Sequence, residues 1–264
     1  MLANLQQLLR YRSLIASLVA RELKARYRGS VLGFFWSFLN PLLLLLIYTF
    51  VFTVVMPGSR GPGLEPFAVF MFCGILPWTW FSSSLLESSN VLIAGGNLIK
   101  KVLFPAEVLP IVTVLAGLVH FCLGLPILAA FLAYYRIRPA LTDLLWLPVV
   151  IAGQCLLTVG LALLVSALTV LFRDVRDLLA NLLTFWFFAT PIVYPFWTAP
   201  AWVQRALSFN PMTHLIVTYQ EMLFRSGPSV ESERVAAIVA GSLVVFLCGY
   251  FVFNRLRDTF AEEV

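Results

Sequence analysis

The long apolar stretches of this chain are almost empty of charge. Glu87 is the only obvious ionisable residue inside one, and it lies near the end of its segment. Membrane transport coupled to protons or ions normally needs buried ionisable groups, because these bind and relay the ion. Their scarcity leaves two options: the chain draws its energy from a partner, or it does no transport. A G-x-x-x-x-G-K-[ST] stretch is also missing, which excludes a phosphate-cradling loop of that type. There are two histidines, His120 and His214, far apart in sequence. His120 falls in an apolar segment and reads as a satisfied core residue rather than a proton relay. No residue set has the spacing of a soluble catalytic constellation or of a metal site, so no catalytic residue and no metal ligand is assigned. Cys73, Cys122, Cys155 and Cys248 stand singly in apolar runs and read as small buried hydrophobes without a disulfide framework.

What is present is hydrophobic surface. Of 264 residues 61% are hydrophobic, and the mean hydropathy is +0.92, against about 45–50% apolar residues in soluble domains. A water-soluble core cannot hide that much, so the chain reads as an all-α membrane protein of one membrane domain. About six spans are legible, over 34–56, 67–90, 108–132, 144–170, 179–197 and 234–254. The stretch 41–56 is the clearest, and the fifth span, punctuated by Pro191 and Pro195, is expected to kink or end early. The first apolar run begins near Phe34, is too long for a signal-peptide core and has no small-residue cleavage site behind it, so no cleaved leader is expected.

The net charge of +5 is not spread evenly. Arg10, Arg12, Arg21, Lys24, Arg26 and Arg28 precede the first apolar run, a pattern suited to anionic lipid and to topology rather than to nucleic acid. With six spans, twelve Lys and Arg fall on the side of the termini and six on the other, the latter being Arg60, Arg136, Arg138, Arg205, Arg225 and Arg234. Both termini are therefore expected in the cytoplasm. Residues 1–33 form a separate cytoplasmic segment. Within 4–27, Leu5, Leu8, Tyr11, Ile15, Leu18 and Val19 recur at helical spacing beside a basic stripe of Arg21, Lys24 and Arg28, which predicts an amphipathic helix in the membrane interface. A leader that merely sets topology is the plain alternative.

The membrane domain, 34–264, contains two unusual connections. The loop 91–107 carries Gly95-Gly96, a capping Asn97, then Leu98, Ile99, Val102, Leu103 and Phe104 around Lys100-Lys101, and Pro105. An apolar and basic turn of this kind has reason to exist if it docks on something, though it could also rest on anionic lipid. The segment 198–233 contains two amphipathic pieces broken at Asn210-Pro211. Their apolar faces lie on the membrane surface or dip between spans, as short external gate helices. Arg173, Asp174, Arg176 and Asp177 sit at a membrane edge, either as self-paired charges worth under about 1 kcal/mol or as a gate or hinge between the fourth and fifth spans.

Aromatic residues make up 14% of the chain. Trp36, Trp146 and Trp202 suit the water interfaces. Trp78 and Trp80 fall near the middle of the second span after Pro77, followed by Phe81, while Phe185, Trp186 and Tyr194 belong to the crowd in the fifth. Lipid and core packing is one reading of them. The other is a pathway lined by Trp36, Trp78, Trp80, Phe81, Phe185, Trp186 and Tyr194, on which the C–H faces of a sugar polymer could slide without being gripped.

Four blocks occur together and in order: R-E-L-K-A-R-Y-R-G-S-V-L-G-F-F-W-S-F-L-N-P-L (21–42), G-I-L-P-W-T-W-F-S-S-S-L (74–85), F-R-D-V-R-D-L (172–178), and T-P-I-V-Y-P (190–195) with N-P-M (210–212). Over nearly the whole chain they resemble the ABC-2-type permeases that export cell-surface polysaccharides, and the first block is the specific one. Its wording looks nearer the O-antigen and teichoic-acid branch than the capsule branch. The resemblance implies a non-catalytic permease subunit in the bacterial inner membrane, built as a homodimer carrying two cytoplasmic ATPase subunits, which moves a lipid-linked polysaccharide outward. It implies that ATP and Mg belong to the partner, with no cofactor in this chain. It makes the loop residues Asn97, Leu98, Lys100, Lys101, Leu103, Phe104 and Pro105 the docking element for the ATPase, while Arg21, Lys24, Arg26 and Arg28 are assigned to the interface helix by their place in the basic N-terminal segment. Two rivals remain at this point. A stand-alone secondary transporter would need charged or broken-helix sites at the midplane, and a membrane-embedded transferase for lipid-linked sugars would need paired acids, for which Asp174 with Asp177 is the nearest approach.

Overall fold

The computed structural model describes residues 11–26, 28–30, 32–55, 66–96, 105–224 and 230–263, and all regular structure among them is helical. Helix α1 spans Arg12–Arg26 and α2 spans Trp36–Phe50. A 3-10 turn at Gly33–Phe35 leads into α2, with Gly33 at φ +50, and a π-helical turn at Val51–Val55 prolongs it. The remaining helices are α3 (Phe67–Ala94), α4 (Val108–Tyr134), α5 (Leu141–Leu144), α6 (Leu147–Leu171), α7 (Val175–Phe188), α8 (Ala201–Leu207), α9 (Pro211–Phe224) and α10 (Ser232–Glu263). Four stretches are long and apolar enough to cross a membrane: α3, α4, α5 with α6, and α10 as far as Arg257; α2 is a shorter apolar helix. The protein is a multi-pass all-α membrane protein.

Helix α3 is the centre. Its 28 residues extend about 42 Å, and buried side chains occur on every side of it, from Phe67 to Leu92. A helix that is apolar all round can be satisfied only inside a bundle or in lipid, and here α2, α4, α6, α7 and α9 enclose it. Small residues set the approach. A Cβ at Gly117 of α4 would come within 2.8 Å of Trp80 Cδ1, and one at Gly74 within 3.1 Å of Ile216. Gln154 of α6, an isolated amide in an apolar helix, donates to the Pro77 carbonyl at 2.8 Å. That bond matters because an unpaired amide costs far more in an apolar interior than at the surface.

The most extensive helix pairing is α6 with α10. Gly153 and Gly160 face Ser242 and Gly249 across it. A Cβ on Gly160 would stand 2.6 Å from Phe246 Cα, and one on Gly249 would overlap the Gly160 carbonyl oxygen. Small residues allow such backbone contact, which is how helices associate where lipid is as apolar as the side chains.

The end of α4 is unusual. Ile137 N–H donates to Leu132 O at 2.9 Å and Arg136 N–H to Ala133 O at 3.0 Å, the bond pattern of a Schellman cap. The left-handed residue in this motif is usually glycine, but here Arg136 holds it at φ +59. An L-residue in that conformation costs about 1–2 kcal/mol.

Several boundaries differ from the sequence expectation. The fifth segment is helical over Val175–Phe188 rather than 179–197, because Pro191 and Pro195 follow in a turn. Fourteen residues reach only about 21 Å, short of the roughly 30 Å hydrocarbon core. The N-terminal helix ends at Arg26, so Arg28 lies in a turn and is not part of a helical stripe; residues 4–10 lie outside the described ones. Cys73 is buried, but Cys122 and Cys248 are exposed on the chain's outer surface, where a cysteine meets lipid as readily as core.

Candidate functional site

Helix α1 docks on the bundle through Leu18, which packs with Leu14, Ile15 and Val19 against Val108 and Val112 at the start of α4. Its apolar face therefore meets protein, while Arg21 and Lys24 stay exposed. Arg26 pairs with Glu87 of α3, so the acid within the second apolar segment is bound to the interface helix. Beyond this pair, Arg26, Ser30, Trp36, Asn40, Thr79 and His120 line a cavity of about 720 Å³ between α2, α3 and α4. The Trp36 indole donates to Ser30 Oγ at 3.0 Å.

The proposed pathway aromatics separate into groups. Trp78 and Trp80 are two residues apart, about 200° around the helix, so they point to opposite neighbours. Trp80 is 3% exposed, donates to the Val114 carbonyl at 3.0 Å and lies 5.2 Å from the Phe121 ring. It packs α3 on α4. Trp78 faces α7, where it meets Trp186 and Phe187 edge-on at 6.4 and 5.7 Å, and Phe81 completes the cluster 5.2 Å from Trp186. Phe185 is 71% exposed on the opposite face of α7, in a stripe with Leu178, Leu182 and Phe188. Tyr194 is half-buried and donates to the Phe188 carbonyl at 3.1 Å. The structure thus joins Trp78, Phe81 and Trp186, and places Trp36, Trp80, Phe185 and Tyr194 apart from them.

The aromatic cluster adjoins a polar hub at Asn210. Its Oδ1 accepts from Trp186 Nε1 at 2.8 Å and from the Met212 N–H at 3.0 Å, while Nδ2 donates to Ala189 O and Thr190 Oγ1, both at 3.1 Å. Asn210 therefore caps α9 and fastens it to the turn after α7. Ten of the fourteen residues of α9 are buried, Thr213, Thr218 and Gln220 among them, which makes it an internal helix rather than one lying on a surface. Gln220 donates to the Pro191 carbonyl at 3.1 Å, and Glu221 pairs with Arg234 of α10. The T-P-I-V-Y-P and N-P-M blocks are thus one structural unit, a partnership that their separation in sequence conceals.

Asn97, Leu98, Lys100, Lys101, Leu103 and Phe104 lie outside the described residues. Pro105 is buried beside Ala106 and Glu107. Glu107 is 4% exposed, its Oε1 stands 3.8 Å from Arg257 of α10, and its Oε2 has no partner among the described residues. In the sequence Glu107 reads as a loop residue and Arg257 as a tail charge, and no local signal links them. Arg173, Asp174, Arg176 and Asp177 are exposed, and none of them forms an ion pair among the described residues, so the self-paired arrangement is not what the fold adopts. Among the described residues no group of acids, histidines or cysteines could hold a metal.

Residues 13–224 match the model of the ABC-2 type transporter family. Over the full length of both chains the protein is 40% identical to an O-antigen export system permease protein, RfbA, of Myxococcus xanthus. It is 32% identical to a protein of the same name from Klebsiella pneumoniae, over 94% of each chain. A polysialic acid transport protein, KpsM, of Escherichia coli is 25% identical over 92% of this chain and 93% of its own. Together with the charge-poor helical bundle, these matches establish that the chain belongs to the ABC-2 type transporter family.

Proposed function

We propose that this chain is the transmembrane permease subunit of an ATP-driven exporter that moves a lipid-linked cell-surface polysaccharide, O-antigen or a similar polymer, out of the cytoplasm. The observation that carries this reading is full-length similarity to O-antigen export permeases. The residues agree with it: among the described residues the membrane-long stretches carry acids only at Glu87, which is paired with Arg26, and near their starts at Asp143 and Glu233, and the chain has no phosphate loop of its own. Energy then comes from ATP and Mg held by a separate ATPase, two copies serving a homodimer of this chain in the inner membrane with all termini cytoplasmic. The segment 97–105 is the docking element for the ATPase, and the described chain resumes beside it with Glu107, which pairs with Arg257. The exposed stripe Leu178, Leu182 and Phe185 on the short α7 is the surface assigned to the second copy. Trp78, Phe81 and Trp186 flank the polymer path, and α8 with α9 forms its external gate.

The test uses a strain lacking this gene and the purified protein. Without the permease, polymer should build up inside the cell and vanish from its surface. The isolated chain should not hydrolyse ATP, whereas its complex with the ATPase should. Turnover by the isolated chain, free of contaminating ATPase, or unchanged surface polymer in the deletion strain, would refute the proposal.

A further inference from the structure

A second cavity lies at the end of α4 remote from α1, with a volume of about 630 Å³, within the roughly 300–1,000 Å³ range of small-molecule sites. Its walls are apolar: Leu125, Leu128 and Leu132 of α4, Leu144 and Leu147 around the start of α6, and Leu223 of α9. Arg136 and Arg138 are its charged lining residues. Both are exposed, and neither forms an ion pair among the described residues. No acidic side chain lines the cavity among those residues, and the nearby Asp143 is buried outside it. Apolar walls under two unpaired guanidinium groups complement an anionic amphiphile, since guanidinium forks match phosphate oxygens.

The backbone gives an independent reason to look here. Arg136 occupies the left-handed position of the α4 cap at φ +59, where glycine would sit without strain. Sparsely populated backbone conformations of this kind are found where a side chain is needed for function. Arg138 follows two residues later, and both side chains reach the same cavity.

We infer that this pocket binds an anionic phospholipid, with the headgroup phosphate between Arg136 and Arg138 and one acyl chain among the leucines. With the termini in the cytoplasm, the lipid belongs to the outer leaflet. It contacts Leu223 of α9 and thereby touches the helix assigned to the external gate.

The experiment is native mass spectrometry of the detergent-purified full chain with added phosphatidylglycerol, phosphatidylcholine of the same acyl chains, or glycerol 3-phosphate. Phosphatidylglycerol should be retained at least about tenfold better than phosphatidylcholine, by the attraction of basic side chains to anionic lipid, and glycerol 3-phosphate should not be retained. The R136G/R138Q variant should lose that preference about tenfold, while melting without lipid at or above the wild-type temperature because glycine relieves the backbone. A129F, which fills the cavity and leaves both arginines, should also lose the lipid. Equal retention of phosphatidylcholine, or wild-type retention of phosphatidylglycerol by either variant, would overturn the inference. So would R136G/R138Q melting well below wild type, which would make the arginines fold residues. None of these readouts depends on polymer export or on the ATPase, so the inference can fail while the permease reading stands.

Discussion

Replacing Asn210 by Ala tests whether the unit formed by the turn after α7 and the start of α9 is fastened as described. The substitution removes two accepted bonds, from Trp186 Nε1 and Met212 N–H, and two donated ones, to Ala189 O and Thr190 Oγ1. Loss of an asparagine N-cap costs about 0.5–2 kcal/mol. The half-buried indole N–H then lacks its acceptor, and a buried donor left unmade costs about 1–3 kcal/mol. The Thr190 hydroxyl keeps its own donated bond to Trp186 O at 2.8 Å and adds little. The total is about 1.5–5 kcal/mol, which at about 2–4 °C per kcal/mol lowers Tm by roughly 3–20 °C. Asn210→Ser should recover only the capping share, about 1 kcal/mol, because its short hydroxyl cannot also serve Trp186 and Ala189. The assay is thermal unfolding of the purified chain in detergent, followed by tryptophan fluorescence, to which Trp186 contributes directly. An Asn210→Ala protein that melts within a degree of wild type would refute the fastening argument.

Further outcomes follow from other parts of the bundle. Leu103→Asp with Phe104→Asp should abolish co-purification of the ATPase while membrane insertion is unchanged, since docking anchors carry about 2 kcal/mol or more each; wild-type pull-down would leave the loop resting on lipid. Trp78, Phe81 and Trp80 are all buried, so Trp78→Ala, Phe81→Ala and Trp186→Ala together and Trp80→Ala alone should both lower Tm, at about 3–5 kcal/mol for a buried tryptophan. Only the first set should reduce surface polymer per assembled transporter, which surface-polymer labelling normalised to assembled protein checks. Gly249→Ala should destabilise by about 1–3 kcal/mol or more, because its methyl overlaps the Gly160 carbonyl, and an unchanged Tm would contradict that backbone contact. Arg257→Gln should lower Tm by leaving the buried Glu107 carboxylate without its cation, and adding Glu107→Gln should restore part of the loss, which a double-mutant cycle measures.

The sequence by itself determined the class, the apolar segments and the family. Those depend on local composition and on contiguous blocks, such as 41–56 and R-Y-R-G-S-V-L-G, and lipid demands nothing from a helix that its own stretch cannot show. It also displayed the helix break at Asn210-Pro211. Only the tertiary structure decided what these residues hold. Trp78 and Trp80 look equivalent in the sequence, yet one turns to α7 and the other to α4, because two residues rotate a helix by about 200°. Arg26 with Glu87, and Glu107 with Arg257, are separated by 61 and 150 positions, and no local pattern pairs them. Arg136 reads as one more interfacial arginine until its φ places it in a glycine's conformation above an apolar cavity. Periodicity and composition are properties of one segment, whereas ion pairs, polar hubs and pockets exist only once several segments are packed.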